Sequence, residues 1–406
     1  MYGLLGEKLP HSFSPQIHAY LGSYSYRLFE VKPEDLDAFL TKRNFDGINV
    51  TIPYKKAVIP YCAALSARAR QIGSVNTILR GEDGSLVGHN TDYDGFETLL
   101  QKLHYNPAGK KAIILGSGGS AVMVQAVLKD RHASEVVIVS RTGENNYQNL
   151  HLHSDASLIV NTTPVGMYPH TGVSPIDLND FAAPDAVIDI IYNPANTKLL
   201  LDAQARGIPC INGLPMLVAQ AKRASELFTG QSLDNTMIDY VTKCIARQTQ
   251  NILLIGMPSS GKTSVGTALA NLTNRIFCDT DTMIEDQTGR RVPDIIRQDG
   301  VAAFRTLESA VLAEAAKQSG TVIATGGGIV TIPDNLPLIR QNSVCVFLNR
   351  DPAKLSVADR PLSQQYGVET LYQERLPLYR AWCDMEIDSN QSITQVVHAI
   401  REALAL

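Results

Sequence analysis

The chain has 406 residues, of which 44% are hydrophobic and 19% are charged, and its formal net charge is −4. A chain of this length is expected to form two or three domains, each large enough to bury its own core. The weak negative charge gives no indication of a nucleic acid or an anionic membrane as partner, and no obligate protein partner is evident.

The cysteines and the apolar residues favour a cytoplasmic protein. Six cysteines are scattered along the chain without a C-x-x-C pair, which is typical of reduced thiols. No apolar run approaches the roughly 18 residues of a membrane span. The first residues, MYGLLGEKLPHS, lack the layout of a signal peptide.

Residues 1–100 alternate short strand-like and helix-like runs. Strands are predicted at Tyr2–Gly6, Tyr26–Val31 and Asp46–Val50, and helices at Pro15–Leu21 and Pro33–Leu40. This alternation predicts a largely parallel, two-layer α/β domain. Ligands of such open sheets bind beyond the carboxyl ends of the strands.

Four polar motifs occur where these strands end. They are His11-Ser12-Phe13-Ser14-Pro15, Asn49-Val50-Thr51-Ile52-Pro53-Tyr54-Lys55, Gly73-Ser74-Val75-Asn76-Thr77 and Gly88-His89-Asn90-Thr91-Asp92. Taken alone, the first motif favours a plain helix N-cap, and a lone lysine or aspartate is usually a solvated surface charge. Together, their donors and acceptors favour a polyhydroxylated ligand. Lys55 and Asp92 would pair, so that the ammonium group exchanges a proton with a carbinol oxygen.

A dinucleotide-binding unit is predicted from residue 111 onward. The strand Lys111–Leu115 leads into the turn Gly116-Ser117-Gly118-Gly119-Ser120-Ala121, the helix Val122–Lys129 and the strand Glu135–Ser140. Arg141 and Thr142 follow the second strand, where an NAD site would have an acidic residue. A guanidinium and a hydroxyl suit a 2′-phosphate, so NADP is favoured over NAD. The segment between Arg141 and Ser157 is short for a strand–helix link, which predicts a trimmed adenosine side.

The phosphate-binding loop pattern G-x-x-x-x-G-K-[ST] is complete at Gly256–Thr263. It follows the apolar run Asn251–Ile255 and precedes a predicted helix, Ser264–Ala270. An ordinary strand–turn–helix corner is the alternative to a nucleotide site. In the nucleotide interpretation Lys262 reaches the β- and γ-phosphates, and Thr263 holds Mg²⁺.

Further motifs follow this loop. Asp279 and Asp281 are predicted on one face of a strand, near Mg²⁺ and an acceptor hydroxyl respectively, although paired aspartates also cap helices. Arg305 and Glu308 are predicted on one helix face, either as a simple ion pair or with the arginine ready for a substrate carboxylate. A glycine turn, Thr325-Gly326-Gly327-Gly328, follows the predicted strand Thr321–Ala324. A polar stretch contains Asp359-Arg360-Pro361-Leu362. Arg375 is predicted to open the last charged helix.

Residues of about 1–230 resemble shikimate dehydrogenase from end to end. The matching motifs, in order, are HSFSP, NVTIPYK, GSVNT, GHNTD, GSGGSA, SRT, NTTPVGMYP (161–169), IDIIYNP (188–194) and NGLPMLVAQ (212–220). This resemblance implies that Lys55 and Asp92 form the catalytic pair. It implies a substrate site of Ser12, Ser14, Thr51, Asn76, Asp92, Tyr192 and Gln220. It implies an NADP site of Gly116, Ser117, Gly118, Gly119, Ser120, Arg141, Thr142, Thr163, Ile190 and Gly213.

Residues 251–406 resemble shikimate kinase, again with their motifs in order. The resemblance implies shikimate contacts from Asp281, Arg305, Gly327 and Arg375, and an ATP site of Ser259, Ser260, Gly261, Lys262, Thr263, Ser264 and Arg360. Arg360 would be a lid residue that closes over ATP, Thr263 and Asp279 would serve Mg²⁺, and Lys262, Asp281 and Arg360 would act in catalysis. Phosphoryl transfer depends mostly on positioning and charge neutralisation, and Asp281 is the candidate for accepting the hydroxyl proton.

The expected architecture is therefore three α/β regions. Residues 1–100, with helices of 213–249 returning to them, form the substrate domain; 101–212 form a Rossmann NADP domain; and 251–406 form a phosphate-binding-loop domain with a central parallel sheet. The resemblances imply a bifunctional enzyme of shikimate and chorismate biosynthesis, using NADP(H), ATP and Mg²⁺. The alternatives are that one half is inactive and acts as a scaffold or regulatory binder, or that a quinate-type dehydrogenase is joined to a kinase for another polyol.

Overall fold

The fold is that of a computed structural model in which residues 1–9, 12–358 and 360–406 are described. His11 of the first polar motif and Asp359 beside Arg360 therefore lie outside the described residues. The chain forms two compact units. Unit 1 comprises Met1–Val165, Ser174–Tyr192 and Asp202–Ile245, and unit 2 comprises Gly166–Val173, Asn193–Leu201 and Ala246–Leu406.

The described residues contain strands and helices in regular alternation. The strands are β1 (Tyr2–Gly6), β2 (Tyr26–Glu30), β3 (Gly47–Val50), β4 (Ala64–Leu65), β5 (Thr77–Arg80), β6 (Leu86–His89), β7 (Lys111–Leu115), β8 (Glu135–Val139), β9 (Leu158–Asn161), β10 (Ala186–Asp189), β11 (Cys210–Ile211), β12 (Asn251–Ile255), β13 (Ile276–Asp279), β14 (Thr321–Ala324), β15 (Ser343–Asn349) and β16 (Met385–Asp388). The α-helices are α1 (Ser14–Leu21), α2 (Leu36–Lys42), α3 (Ala67–Ile72), α4 (Asp92–Lys102), α5 (Gly119–Asp130), α6 (Lys198–Ala205), α7 (Leu214–Thr229), α8 (Thr236–Thr249), α9 (Lys262–Thr273), α10 (Thr280–Thr288), α11 (Val292–Ala316), α12 (Asn335–Arg340), α13 (Pro361–Tyr366), α14 (Val368–Trp382) and α15 (Ile393–Leu404). Short 3₁₀ turns lie at Pro33–Asp35, Ile59–Tyr61, Leu150–His153, Leu178–Asp180, Ile329–Thr331 and Pro352–Lys354.

The first sheet of unit 1 has the strand order β2-β1-β3-β5-β6-β4. The predicted strands β1, β2 and β3 are confirmed, and they pair in parallel. The prediction of a largely parallel layer is wrong for β5, which runs antiparallel to both β3 and β6. The reason is the short link from β5 to β6, where Gly81 N–H donates to Ser85 O at 2.8 Å, because a tight turn can only join antiparallel strands.

The second sheet of unit 1 is parallel, with the order β11-β10-β9-β7-β8. Its strands are apolar runs because α-helices can cover both faces of such a sheet. The β7–α5–β8 unit is confirmed, with α5 beginning at Gly119. A single 3₁₀ turn, Leu150–His153, lies between β8 and β9 where a helix would usually connect them. The structure thus agrees with the short link expected from the sequence.

The sheet of unit 2 is also parallel, with the order β13-β14-β12-β15-β16. Its central strand β12 is completely buried and leads directly into the turn Gly256–Gly261 and then α9. Unit 2 also includes residues 193–201, where Asn196 N–H donates to Gln341 O at 2.8 Å and Asn196 Nδ2 donates to Arg340 O at 2.9 Å.

Two predicted positions within unit 2 are wrong. Asp281 does not lie on a strand with Asp279, because β13 ends at Asp279 and Asp281 lies in the first turn of α10. Asp279 is the N-cap of that helix, and its Oδ1 accepts a hydrogen bond from Asp281 N–H at 3.0 Å. Arg375 lies in the middle of α14 and does not open it, and the last helix is α15.

Within the described ranges, none of the helices combines the length and the apolar character needed to cross a bilayer.

Candidate active sites

The two proposed catalytic residues of unit 1 are in direct contact. Lys55 Nζ donates to Asp92 Oδ2 at 2.6 Å, and the side chains are 28% and 18% exposed. Lys55 follows β3, and Asp92 begins α4 directly after β6. Both strands run antiparallel to β5 between them, so their carboxyl ends lie at the same edge of the sheet. The sheet topology thus brings together two residues that are 37 positions apart in the sequence.

All the predicted substrate residues of unit 1 line one cavity of about 410 Å³ around this pair. They are Ser12, Ser14, Thr51, Asn76, Asp92, Tyr192 and Gln220, and the predicted NADP residues Ser120, Ile190 and Gly213 line the same cavity. Residues predicted for the reducing cofactor and residues predicted for the substrate therefore line the same cavity. Burial raises the pKa of Tyr192 above its ordinary value.

The serines of the first motif do not cap α1. The N-cap position is Phe13, and no side chain makes a capping hydrogen bond there. Ser12 Oγ instead accepts a hydrogen bond from Ser14 N–H at 3.2 Å. The capping interpretation is therefore wrong for this helix, and both serines lie at the cavity wall.

A buried network of amides and hydroxyls fixes the far wall of the cavity. Asn76 is 2% exposed, its Nδ2 donates to Thr91 Oγ1 at 3.1 Å, and its Oδ1 accepts from Thr91 N–H at 2.7 Å. Asn49 Nδ2 donates to Thr77 Oγ1 at 3.0 Å, and Asn49 Oδ1 accepts from Tyr26 Oη at 2.8 Å. Because these groups hold one another, the amides face a ligand in fixed orientations.

Asn49 and Lys8 also line this cavity but were not predicted as site residues. A signal for Asn49 exists in the sequence, since it lies two positions before Thr51 and side chains two apart on an extended chain share a face. Lys8 follows β1 as an exposed lysine, and no local pattern distinguishes it from any surface cation.

The predicted NADP residues lie at the carboxyl edge of the second sheet. Gly116 follows β7, Arg141 and Thr142 follow β8, Thr163 follows β9 and Ile190 follows β10. Since these strands are parallel, their ends share one edge.

Glycine geometry at this edge fits a dinucleotide. Gly116 has a φ of +105°, and a Cβ there would lie 2.9 Å from Thr162 Oγ1. A Cβ on Gly213 would lie 1.9 Å from Ile190 O, so only glycine permits this close approach. Gly118 and Gly119 begin α5 and face open space, which leaves the N-terminal amides of that helix accessible to a pyrophosphate.

The phosphate-binding loop of unit 2 has the backbone that its glycines allow. Gly256 and Gly261 have φ values of +145° and +97°. Lys262 is 8% exposed and its Nζ donates to Gly256 O and Met257 O, both at 2.8 Å. Burial lowers the pKa of Lys262 to about 8. Ser260 is 1% exposed, and its Oγ has no hydrogen-bond partner among the described residues.

Two adjoining cavities of unit 2 share one wall. The first, about 320 Å³, is lined by the predicted nucleotide and metal residues Ser259, Gly261, Lys262, Thr263, Ser264 and Asp279. The second, about 60 Å³, is lined by the predicted shikimate residues Arg305 and Arg375. Asp281, Gly327 and Arg360 line both. A group held in one cavity would thus meet a group held in the other beside Asp281.

Asp281 has the environment of a carboxylate that can take up a proton. Burial, followed by the nearby charge of Asp279, raises the pKa of Asp281 above its usual range. Its Oδ1 is buried and has no hydrogen-bond partner among the described residues. An acceptor left open in this way suits a hydroxyl donor from a bound molecule.

The Arg305–Glu308 ion pair supports the wall of the smaller cavity. Arg305 Nη1 lies 2.5 Å from Glu308 Oε2, and Glu308 is fully buried. Burial raises the pKa of Glu308. Cβ atoms on Gly326 and Gly328 would lie 2.1 Å from Glu308 Oε1 and 1.8 Å from Arg305 Nη2, so these glycines make room for the pair. The sequence indicated the pair but not that Glu308 lines the site.

Arg375 is directed at the glycine turn by α14. It is 5% exposed, and its Nη1 donates to Gly327 O at 3.1 Å. Tyr379 Oη, one turn later, donates to the same oxygen. The carbonyl of Gly327 therefore orients the arginine beside the cavity.

The oxygens near the loop are compatible with Mg²⁺. Thr263 Oγ1 donates to Asp279 Oδ2 at 2.8 Å, so a hydroxyl and a carboxylate already lie together. No group of three or more acidic, His or Cys side chains suited to a metal occurs in the described part of the chain. Mg²⁺ usually takes only one or two protein ligands together with substrate phosphates, so Thr263 and Asp279 would suffice to hold it.

Comparisons with known proteins match both parts of the chain. The family model described as the shikimate dehydrogenase substrate binding domain matches residues 4–78, and that of shikimate kinase matches residues 258–405. The chain is 36% identical over 257 residues to shikimate dehydrogenase (NADP(+)) of Clostridium perfringens (strain 13 / Type A), covering 58% of this chain and 94% of that protein. It is 38% identical over 259 residues to shikimate dehydrogenase (NADP(+)) of Thermosynechococcus vestitus (strain NIES-2133 / IAM M-273 / BP-1), covering 57% and 90%.

A solved structure gives the same result. It is that of a chorismate mutase/shikimate 5-dehydrogenase fusion protein from Clostridium acetobutylicum, with a TM-score of 0.57 and 37% identity, over 60% of this chain and 96% of that one. The chain therefore belongs to the shikimate dehydrogenase family and carries a shikimate kinase domain after its dehydrogenase part.

Proposed function

We propose that the protein is a bifunctional enzyme that reduces 3-dehydroshikimate to shikimate and then phosphorylates shikimate on its 3-hydroxyl. The observation that carries the proposal is that the predicted substrate residues of unit 1 line one cavity around the Lys55–Asp92 contact, and that most of the predicted residues of unit 2 line two adjoining cavities around Asp281. The product of the first reaction is the substrate of the second, so the two activities belong to one pathway, the synthesis of chorismate and the aromatic amino acids.

In the first reaction the residues of unit 1 orient the substrate and supply a proton. NADPH, when bound, supplies the hydride for the carbonyl carbon. The Lys55 ammonium donates a proton to the carbonyl oxygen, and Asp92 holds that ammonium in place through their 2.6 Å contact. Asn76 and Gln220 bind the ring hydroxyls, while Ser12 and Ser14 bind the carboxylate.

In the second reaction the residues of unit 2 position the groups and neutralise charge. ATP bound with Mg²⁺ would supply the γ-phosphoryl group, and Thr263 and Asp279 would hold the metal. Asp281 accepts the proton of the 3-hydroxyl, and Arg305 and Arg375 bind the shikimate carboxylate. Lys262 leaves its two carbonyl partners to contact the phosphates, and Arg360 contributes a further positive charge.

The setting we propose is cytoplasmic, without a nucleic acid, a membrane or an obligate protein as partner. It is supported by the weak net charge of −4 and by the dispersed cysteines, all six of which are free thiols in the structure.

A coupled assay tests the overall proposal. The protein is incubated with 3-dehydroshikimate, NADPH and ATP·Mg, and NADPH loss and ADP release are followed together. We expect both, with ADP release dependent on NADPH because reduction supplies the shikimate. If NADPH is not consumed while added shikimate drives ADP release, the dehydrogenase part is a binder. If NADPH is consumed without ADP release, the kinase part has another acceptor.

Lys55→Ala is expected to lower the rate of reduction by about 10²- to 10⁴-fold, the usual contribution of a positioned general acid. Phosphorylation of added shikimate should stay near the wild-type rate, since Lys55 is absent from the kinase cavities. The matched control is Lys56→Ala, which removes the same charge from an exposed position next in the chain. Steady-state rates of both reactions decide the matter. Equal losses in the two variants would contradict a specific role for Lys55.

Arg141→Ala is expected to reduce the preference for NADPH over NADH by about tenfold to a hundredfold, because a charged hydrogen-bond partner of the 2′-phosphate is lost. The measurement is kcat/KM for each dinucleotide. Lys129→Ala, an exposed cation on α5, serves as the control and should leave the ratio unchanged. An unaltered ratio in Arg141→Ala would place the 2′-phosphate elsewhere.

ATP·Mg affinity is expected to fall as the pH rises above about 8. The folded-state pKa of Lys262 is lowered to about 8, so the free enzyme loses this charge from that pH upward, whereas bound phosphates favour the charged form. Binding must then restore the proton, which costs up to about tenfold in affinity per pH unit. Calorimetry between pH 7 and pH 9.5 measures the slope. In Lys262→Arg, whose guanidinium stays charged, this part of the slope should vanish; identical slopes would show that another group titrates.

A further inference from the structure

Unit 1 contains a second cavity, separate from the one proposed for reduction. Its volume is about 650 Å³, and it shares no lining residue with the 410 Å³ cavity around Lys55. Its walls come from the start of α3, the end of β6 and the residues after it, the helices α4 and α7, and the beginning of α8. Neither proposed reaction uses it.

The charges on its walls cancel. Three cations and three carboxylates line it: Arg68, Lys222 and Arg223, with Asp94, Glu97 and Glu226. Burial, together with the nearby Arg223, lowers the pKa of the remaining titratable group, His89, so that its ring is neutral at pH 7. A ligand with a single net charge would upset this balance, whereas a zwitterion preserves it.

Arg223 has hydrogen-bond donors to spare. Its Nη1 donates to Glu226 Oε2 at 3.1 Å, and its side chain is 47% exposed. Glu226 also accepts hydrogen bonds from Lys222 Nζ at 2.7 Å and from Leu233 N–H at 3.0 Å, so both of its carboxylate oxygens already have donors. The other guanidinium nitrogens of Arg223 have no hydrogen-bond partner among the described residues. A guanidinium with free donors is suited to a carboxylate.

Asn90 provides a free acceptor at the wall. It is 3% exposed, and its Nδ2 donates to Ser74 O at 3.0 Å, which fixes which way the amide points. Its Oδ1 has no hydrogen-bond partner in the described part of the chain. A buried acceptor without a partner is costly, and an ammonium group can supply the missing donor.

The remaining wall is partly apolar. Ala67, Ala219, Leu227 and Ile238 contribute hydrocarbon surface beside the charged groups. Because hydrocarbon groups favour contact with such a surface over water, a ligand with an apolar side chain fits better than a purely polar one.

We propose that this cavity binds an α-amino acid with a hydrophobic side chain, whose carboxylate pairs with Arg223 and whose ammonium group donates to Asn90. The cavity is linked to the reducing site through Thr91, which lines it. Thr91 Oγ1 accepts from Asn76 Nδ2 at 3.1 Å and lies 3.5 Å from Gln220 Oε1, and both of these residues line the substrate cavity. An occupant beside Thr91 therefore alters the affinity for 3-dehydroshikimate.

The test uses L-phenylalanine as the probe on the full chain. Calorimetry is expected to show saturable binding of L-phenylalanine. The affinity should be lower by about tenfold or more for L-phenylalanine methyl ester, which lacks the carboxylate, and for 3-phenylpropionate, which lacks the ammonium group. Arg223→Gln should lose binding to a similar extent, while Lys129→Gln should bind normally. Saturating probe should change the KM for 3-dehydroshikimate by about fivefold or more and leave shikimate phosphorylation unchanged.

Several results would overturn the proposal. Absence of binding at millimolar probe would mean that water alone satisfies Asn90. If the ester bound as tightly as L-phenylalanine, the proposed contact between the carboxylate and Arg223 would be wrong. If 3-phenylpropionate bound as tightly, the proposed contact between the ammonium group and Asn90 would be wrong. Unaltered binding by Arg223→Gln would show that the probe binds elsewhere. Simple competition with shikimate that persists in Arg223→Gln would locate the probe in the substrate cavity. Saturable binding with an unchanged KM would overturn the link through Thr91.

Discussion

Parallel pairing of strands is the constraint on which both sites depend. In two of the three sheets every strand pair is parallel, so the carboxyl ends of their strands share an edge. The glycine turn after β7, the basic residue after β8 and Thr163 after β9 meet there for this reason alone. The same holds in unit 2, where the phosphate-binding loop follows β12 and the glycine turn follows β14. In the first sheet β3 and β6 reach the same geometry because both run antiparallel to β5.

The two sites differ in the charge that they have to accommodate and in the side chains that line them. In unit 1, the proposed polyhydroxylated substrate would face buried amides such as that of Asn76, whose hydrogen bonds with Thr91 remove the freedom to reorient. Lys55 and Asp92 pair with each other beside this network, and Lys8 also lines the cavity. Phosphoryl transfer instead involves concentrated negative charge on the phosphates. Lys262 and the arginines around Asp281 would supply the positive charge that neutralises it. Fixed dipoles and charges of this kind need no reorganisation when the reaction occurs.

Burial of charge around Asp281 is costly, and the structure shows how it is tolerated. Arg305 and Glu308 pair at 2.5 Å, and glycines on either side of Gly327 leave room for them. An ion pair in so dry a place contributes little net stability, since desolvation offsets the attraction. Its value lies in placing a guanidinium accurately beside the cavity, where a substrate carboxylate would meet it.

The sequence alone determined the α/β class and both family resemblances, and it predicted many of the residues that line the cavities, because glycine turns, strand ends and helix starts leave local patterns. It did not determine which residues meet, since contacts such as that between Lys55 and Asp92 depend on strand order. The sheet topology decided the antiparallel β5, and helix geometry decided that Asp281 begins α10 while Asp279 caps it. Lys8 and Glu308 were placed at the cavities only by packing, because a single charged side chain carries no local sign of the cavity it will face until distant elements close around it.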